Sequence, residues 1–370
     1  MRLVVLLATL LAAAPCAAAV PLARLALPPG FSIAVYAAPV PAARQMALGD
    51  DGTVYVGSND AGKVYALTDA DGDGHAERVR TLAGGLRLPT GVAFHDGDLY
   101  IGAIGRILVL RDITKQLDHP PKPALVTDQL PDETHHGWKF IAFGPDGRLY
   151  VPIGAPCNVC DKGRDYAKLV SMKADGSDPR DVAYGIRNTV GFDWQPGTGQ
   201  LWFTDNGRDL LGDDVPSDEL NRITRAGQHF GFPHCHQGDL PDPEFGRGTS
   251  CANYVAPVAK LGAHVAALGM RFYDGTLFPP RWRGAAIIAE HGSWNRTKKS
   301  GYRVVAVRLD GHRVLGEDVL VDGFQQDEQA DGRPADVLVM PDGALLVSDD
   351  MAGAVYRITY QAPAAPPARR

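Results

Sequence analysis

The chain has 370 residues, with 37 Lys+Arg against 43 Asp+Glu, a formal net charge of −6 and 45% hydrophobic residues. A mildly acidic chain with no basic stripe is a poor partner for nucleic acid, and beyond its N-terminus no apolar run is long enough for an integral membrane span. The length exceeds what one hydrophobic core ordinarily fills, yet no Pro/Ser-rich linker divides it.

In chain order, residues 1–19 read as a secretory signal: Arg2 supplies charge, Leu3 to Ala14 is apolar, and Ala17 to Ala19 offer small residues for cleavage. Pro15 precedes Cys16, where a lipoprotein signal prefers Gly or Ala, so the expectation is an exported protein, periplasmic or secreted, without a lipid anchor. Removing Cys16 leaves Cys157, Cys160, Cys235 and Cys251. An even number in an oxidising compartment predicts two disulfides, and proximity favours Cys157–Cys160 and Cys235–Cys251. The alternative is a zinc or thiol-redox site, but there is a single CxxC and no following His for haem attachment. Residues 20–360 are expected to form one domain, and the Pro-rich residues 361–370 a disordered tail.

Within that domain a pattern recurs: an apolar run, a turn rich in Asp and Gly, then a short aromatic strand. It begins at Met46 (MALGDDGTVYVGS), Val92 (VAFHDGDLYIGA), Ile141 (IAFGPDGRLYVPIG), Phe192 (FDWQPGTGQLWFTDNG) and Val337 (VLVMPDGALLVSDD). The first turn glycines, Gly52, Gly97 and Gly147, are 45 and 50 residues apart. Repeats of that length holding several short strands predict an all-β chain, a β-propeller. The interval from Gly199 to Gly343 leaves room for two further blades, with strands near Gly269–Tyr273, Ala285–Ala289 and Tyr302–Leu309. The count adopted is six.

In Asp69-Ala-Asp71-Gly-Asp73-Gly74, alternate carboxylates before a glycine can wrap a structural Ca²⁺. The twelfth position is Arg80 where an EF-hand has Glu, although Glu77 stands at the ninth. A solvated acidic turn is the plain alternative.

Other polar clusters sit beside apolar strands, as loops converging on one end of a propeller would. They are His135-His136 ahead of the Gly144 turn, Arg187-Asn188, Asn206-Gly207-Arg208 followed by Glu219, the Gly/Pro-rich bend after Gln228, Trp294 to Lys299, and Arg333. Together they supply a potential base, several cations and a carbonyl-rich metal loop.

In this order and spacing, the His ahead of GPDGRLY, AYGIRN, NG…DELNRI…GQHFGFP and GRPADV resemble the glucose/sorbosone dehydrogenases, six-bladed propellers that use pyrroloquinoline quinone (PQQ). The resemblance spans most of residues 28–360 and is closer to the sorbosone dehydrogenase-like branch. It implies oxidation of a sugar or related aldehyde, with electrons passed to an acceptor such as a cytochrome or quinone. The family's catalytic His stands eight residues before the Gly of its turn, which selects His136. His135 falls where the family often has an orienting Asp. Arg187 and Asn188 match a cofactor-binding pair, and Arg333 matches a cofactor arginine. Ala335 stands where a second arginine can occur, so Arg296 or Lys298 is expected to supply the missing cation. Asn206-Gly207-Arg208 matches the turn whose backbone carbonyls hold the cofactor's Ca²⁺, with Arg208 in place of a common Pro, and Glu219 follows it. Two other classes stay open: a Ca²⁺-dependent lactonase, which needs acidic ligands in the channel and no cation cluster, and a non-catalytic propeller that binds glycans or proteins.

Overall fold

Alternation along single strands explains the architecture. In Val54–Ser58, Val54 and Val56 point into one hydrophobic cluster and Tyr55 into another; in Val64–Thr68, Tyr65 and Leu67 share the first cluster and Val64 and Ala66 the second. Successive side chains leave a strand on opposite faces, so both faces of each sheet are buried. The computed structural model describes residues 22–363. There six sheets of four or five strands are arranged as the blades of a propeller, beside two small two-stranded sheets, with six hydrophobic clusters, each shared by two neighbouring blades.

Blade 1 comprises Ala43–Leu48, Val54–Ser58, Val64–Thr68 and Arg78–Ala83; blade 2 Gly91–His95, Asp98–Ala103, Arg106–Leu110 and Ala124–Thr127. Blade 3 is built from Ala142–Phe143, Leu149–Ile153, Lys168–Met172 and Arg180–Tyr184, extended by a parallel fifth strand, Gln228–His229. Blade 4 holds Phe192–Trp194, Leu201–Asp205, Ser217–Arg222 and Ala259–Ala263; blade 5 Ala267–Phe272, Ala286–Glu290, Arg303–Asp310 and Arg313–Val321. Blade 6 takes Pro334–Val339, Leu345–Asp349 and Ala354–Tyr360 from the C-terminal end and its outer strand, Phe31–Ala37, from the N-terminal end. That antiparallel pair closes the ring.

The interval after Gly199 holds one blade, not two. All three strands expected there belong to blade 5, and the remaining length is an insertion between the third and fourth strands of blade 4. The insertion carries the Cys235–Cys251 disulfide, and Cys157–Cys160 is the second bridge. Among the described residues the only helices are five 3-10 turns of three residues each, and none is long and apolar enough to cross a membrane. The expected signal segment, residues 1–19, and residues 364–370 of the tail lie outside the described residues.

Short inner strands leave backbone groups facing the next blade, and buried side chains take them up. The Gln45 amide donates to Ile141 O at 2.6 Å and accepts from Ile141 N at 2.9 Å and Val92 N at 3.2 Å, tying blades 1, 2 and 3. Asp336 accepts from Met46 N at 2.8 Å between blades 6 and 1. At the closure, Phe31 packs edge-on against Trp282 and Phe278 of blade 5. Trp282 is fully buried. Trp282→Ala is therefore expected to cost about 3–5 kcal/mol in a urea melt; a loss under about 1 kcal/mol would show that this seam is not part of the core.

Candidate functional site

Loops from second to third strands, and links from one blade to the next, open on the same end of the ring. They enclose a cavity of about 390 Å³ at its axis. Its lining includes His135, His136, Arg187, Asn188, Asn206, Gly207 and Arg333, seven of the eleven residues to which the family resemblance gives a site role, together with Trp294 and Asn295. The other four do not line it. Arg208 turns toward the blade 4 insertion and pairs with Asp242 at 2.5 Å. Arg296 pairs with Asp214 at 3.0 Å, and Lys298 is exposed beside it. Glu219 is buried behind the cavity wall, accepting from Gln237 N at 2.6 Å and Asn221 Nδ2 at 2.8 Å. Its neighbour Asp218 faces the cavity instead, because consecutive residues of Ser217–Arg222 point to opposite sides.

His136 sits on a turn, not a strand, with φ of 50°, a left-handed conformation that is uncommon outside glycine and concentrates at functional sites. Gly154 makes room for it: a Cβ there would lie 2.6 Å from His136 Cβ. His136 Nδ1 lies 2.8 Å from Ala155 O. A carbonyl can only accept, so Nδ1 carries the proton and Nε2 keeps its lone pair. Burial, then the charge of Arg187, then His135 hold the His136 pKa well below the usual histidine value. The ring is neutral at neutral pH, with one basic nitrogen available. His135 is exposed at the rim, its ring centroid 4.1 Å from that of His136.

Three guanidinium groups share the cavity. Arg187 is buried, paired with Asp209 at 3.0 Å and bonded to Asn158. Arg44, which no motif marked, reaches in from the first strand of blade 1 and pairs with Asp350 at 2.8 Å; Asp350 also holds His291 Nε2 at 2.8 Å. Arg333 donates to the carbonyls of His291 and Gly292 and lies over the Tyr302 ring. It has no carboxylate within ion-pair distance among the described residues. Trp138 also lines the cavity, and its buried indole N–H has no partner among the described residues. An uncompensated cation and an unpartnered donor in one cavity suit a ligand that is anionic and rich in acceptors.

Three buried carboxyls build part of the wall, Asp218 in the lining and Asp205 and Glu219 behind it. Asp205 accepts from Arg187 N at 2.9 Å and Asn188 N at 2.7 Å, and Asp218 from Gly207 N and Ala266 N, both at 2.7 Å. Burial pushes Asp205 up to about 7, Asp218 to about 6 and Glu219 to about 8, with Asp205 adding to the rise at Glu219. Crowded, dehydrated carboxyls that hold protons near neutral pH, beside the hard oxygen donors of the Asn206–Gly207 backbone, are a setting in which a divalent cation can take the place of those protons.

The Asp69 loop joins the third and fourth strands of blade 1 and so opens on the opposite end of the ring. Asp69, Asp71, Asp73 and Glu77 converge there with ligand atoms within 4.8 Å of one another, the last three exposed.

The model of the glucose / sorbosone dehydrogenase family matches residues 122–357. The chain belongs to that family. An uncharacterised protein of Borreliella burgdorferi is 29% identical over 352 residues, covering 91% of each chain. Among solved structures, the holo form of the PQQ domain of pyranose dehydrogenase from Coprinopsis cinerea superposes with a TM-score of 0.75 at 17% identity, covering 90% of this chain and 97% of that one. The calcium structure of a Trichoderma reesei enzyme of carbohydrate-active family AA12 gives 0.79 at 20%, covering 91% and 97%. At these identities the two structures share the fold.

Asp205 holds two backbone N–H groups of the cavity wall, so its loss should be felt in stability before any ligand is added. Asp205→Ala is expected to cost about 2–4 kcal/mol in denaturant unfolding of ligand-free protein, and Asp205→Asn less because one oxygen acceptor remains. Wild-type stability for the alanine variant would mean that water or another group serves those N–H groups equally well.

Proposed function

We propose that this family member is a PQQ-dependent dehydrogenase acting on a sugar or a related alcohol or aldehyde, exported to an oxidising compartment such as the periplasm. The observation that carries the reading is the meeting, in one cavity, of three arginines with a buried neutral histidine whose Nε2 is free. PQQ carries three carboxylates and a quinone; Arg44, Arg187 and Arg333 would hold the carboxylates, with Asn188 and the Trp138 N–H as further donors. The backbone carbonyls at Asn206–Gly207 would hold Ca²⁺, backed by the buried carboxyls. When bound, PQQ supplies the two-electron acceptor that the side chains lining the cavity lack, and Ca²⁺ the Lewis acid beside it.

The chain's own part is proton removal and orientation. Oxidising a hydroxyl or an aldehyde hydrate requires the O–H proton to leave as hydride leaves carbon. His136 Nε2 takes that proton; the bond from Nδ1 to Ala155 O fixes the tautomer and stabilises the imidazolium that results. His135, lacking a carboxylate's charge, orients the site without raising the basicity of its neighbour as an Asp would. Electrons then pass to an acceptor such as a cytochrome or quinone. The arginine cluster argues against a Ca²⁺-dependent lactonase, whose channel would present acidic ligands without such cations.

The direct test adds PQQ and Ca²⁺ to metal-free apo-protein and follows dye reduction with aldoses, ketoses and aldehydes. Turnover that needs both additions is expected; PQQ binding without turnover on any of these substrates would overturn the reading. His136→Ala should lose roughly 10²–10⁴-fold in single-turnover rate while still binding PQQ. Because the His136 pKa is depressed, the acid limb of kcat/KM should begin below pH 6.5; a limb centred above pH 7 would assign the base elsewhere. Arg44→Ala and Arg333→Ala should each weaken PQQ by about 1.5–3 kcal/mol. Arg296→Ala and Lys298→Ala should leave it unchanged, and the reverse pattern would restore those two as the cofactor's cations.

A further inference from the structure

Residues 155–160 form one turn, closed by the Cys157–Cys160 disulfide, and it touches both the histidine and the buried arginine of the cavity. At its start, Ala155 O faces His136 Nδ1 at 2.8 Å, and Ala155 N donates to Arg187 O at 2.8 Å. Between the cysteines, Asn158 meets Arg187 twice: its backbone carbonyl accepts from Nε at 2.8 Å and its Oδ1 from Nη2 at 2.9 Å. The same Oδ1 accepts from Asp209 N at 2.8 Å, and Nδ2 donates to Asp209 O at 3.1 Å. Asn158 thus grips the arginine and the loop that bears its carboxylate partner.

Packing gives this turn little support. Residues 156–160 are all only half-buried. On one side the turn meets His136, Arg187 and Asp209, which stand between it and the axial cavity. On the other is a second cavity of about 320 Å³, bordered by Ala155, Pro156 and Cys160 and facing Tyr166, Tyr184 and His229. A segment with open space along one face lacks part of the close contacts that fix a core element. A covalent link across three residues restricts it instead.

We propose that the disulfide-closed turn is a clamp that positions the cofactor arginine and the base. Asn158 is the positioning residue for Arg187, and the Cys157–Cys160 bridge holds the Ala155 carbonyl against His136. The inference rests on the roles proposed above for Arg187 and His136, but its geometry can be tested without them.

Two variants separate the arms: Asn158→Ala, and Cys157→Ser combined with Cys160→Ser. PQQ affinity is read by fluorescence titration in the presence of Ca²⁺. The His136 Nδ1–H resonance is read in ¹⁵N-histidine-labelled apo-protein, with no cofactor present. Asn158→Ala should weaken PQQ about 3- to 10-fold and leave the His136 resonance protected from exchange. The double serine variant should weaken PQQ at least as much and speed exchange of that proton about tenfold or more. If both variants keep wild-type affinity and a wild-type His136 resonance, the clamp is refuted. Should the double variant fail to fold, reducing the folded wild type with a phosphine, with cleavage of Cys157–Cys160 confirmed by mass mapping, gives the same test; an unchanged resonance then overturns the proposal. If wild type binds no PQQ, the functional reading fails, and the histidine resonance still decides the clamp.

Discussion

Everything at the axis depends on the antiparallel pairing of Phe31–Ala37 with Ala354–Tyr360. No blade has a core of its own: every hydrophobic cluster is filled from two neighbouring sheets. A ring of this kind is stable only when its last seam is shut, since an open seam exposes two apolar faces and a row of unpaired strand edges. Closure also builds the site. Arg44 comes from blade 1, while Asp350 and Arg333 come from blade 6, and the Arg44–Asp350 pair joins residues 306 apart in sequence. The loop-closure entropy of that contact is met by the whole sheet arrangement, not by the ion pair itself.

Within the ring, charges are divided by task. Buried carboxyls at Asp205 and Asp218 spend their oxygens on backbone N–H groups of the loops that carry Arg187, Asn188 and Gly207. They fix the wall. Arg44, Arg187 and Arg333 face the space inside it, and among the described residues the first two have carboxylate partners and Arg333 has none. The histidine among them is kept neutral by burial and by the positive charge nearby. One environment therefore suits an anionic ligand and keeps the imidazole unprotonated, because positive potential favours both.

Much of this was legible in the sequence, for physical reasons that differ from place to place. The Asp/Gly turns between apolar runs mark the first hairpin of five blades, since glycine serves the positive φ those turns require, 85° at Gly52, 72° at Gly147 and 85° at Gly343. Blade 5 was harder to see. Its first hairpin passes through Trp282 and a 3-10 turn instead, and the long blade 4 insertion stretched the interval enough to suggest an extra blade. His136 was singled out by the eight-residue spacing to Gly144 that the family resemblance implies, and that residue does lie in the cavity lining. Glu219 and Asp218 show the opposite case: the DE pair announces a buried acid, but a one-residue difference in strand phase decides which carboxyl reaches the cavity. Arg296 and Lys298 lie in a loop rich in cations, and nothing in their spacing shows that Asp214 draws Arg296 outward. Arg44 had no local signal at all. It sits in an ordinary inner strand and acquires meaning only when the ring brings blade 6 beside it.

The most direct measurement is a crystal structure of the protein grown with PQQ and Ca²⁺. The cofactor is expected in the axial cavity, with its carboxylates within hydrogen-bond distance of Arg44, Arg187 and Arg333, the metal on the carbonyls at Asn206–Gly207, and His136 Nε2 facing the space left for substrate. A cofactor bound elsewhere, or calcium found only at the Asp69 loop with the axial cavity empty, would contradict this expectation.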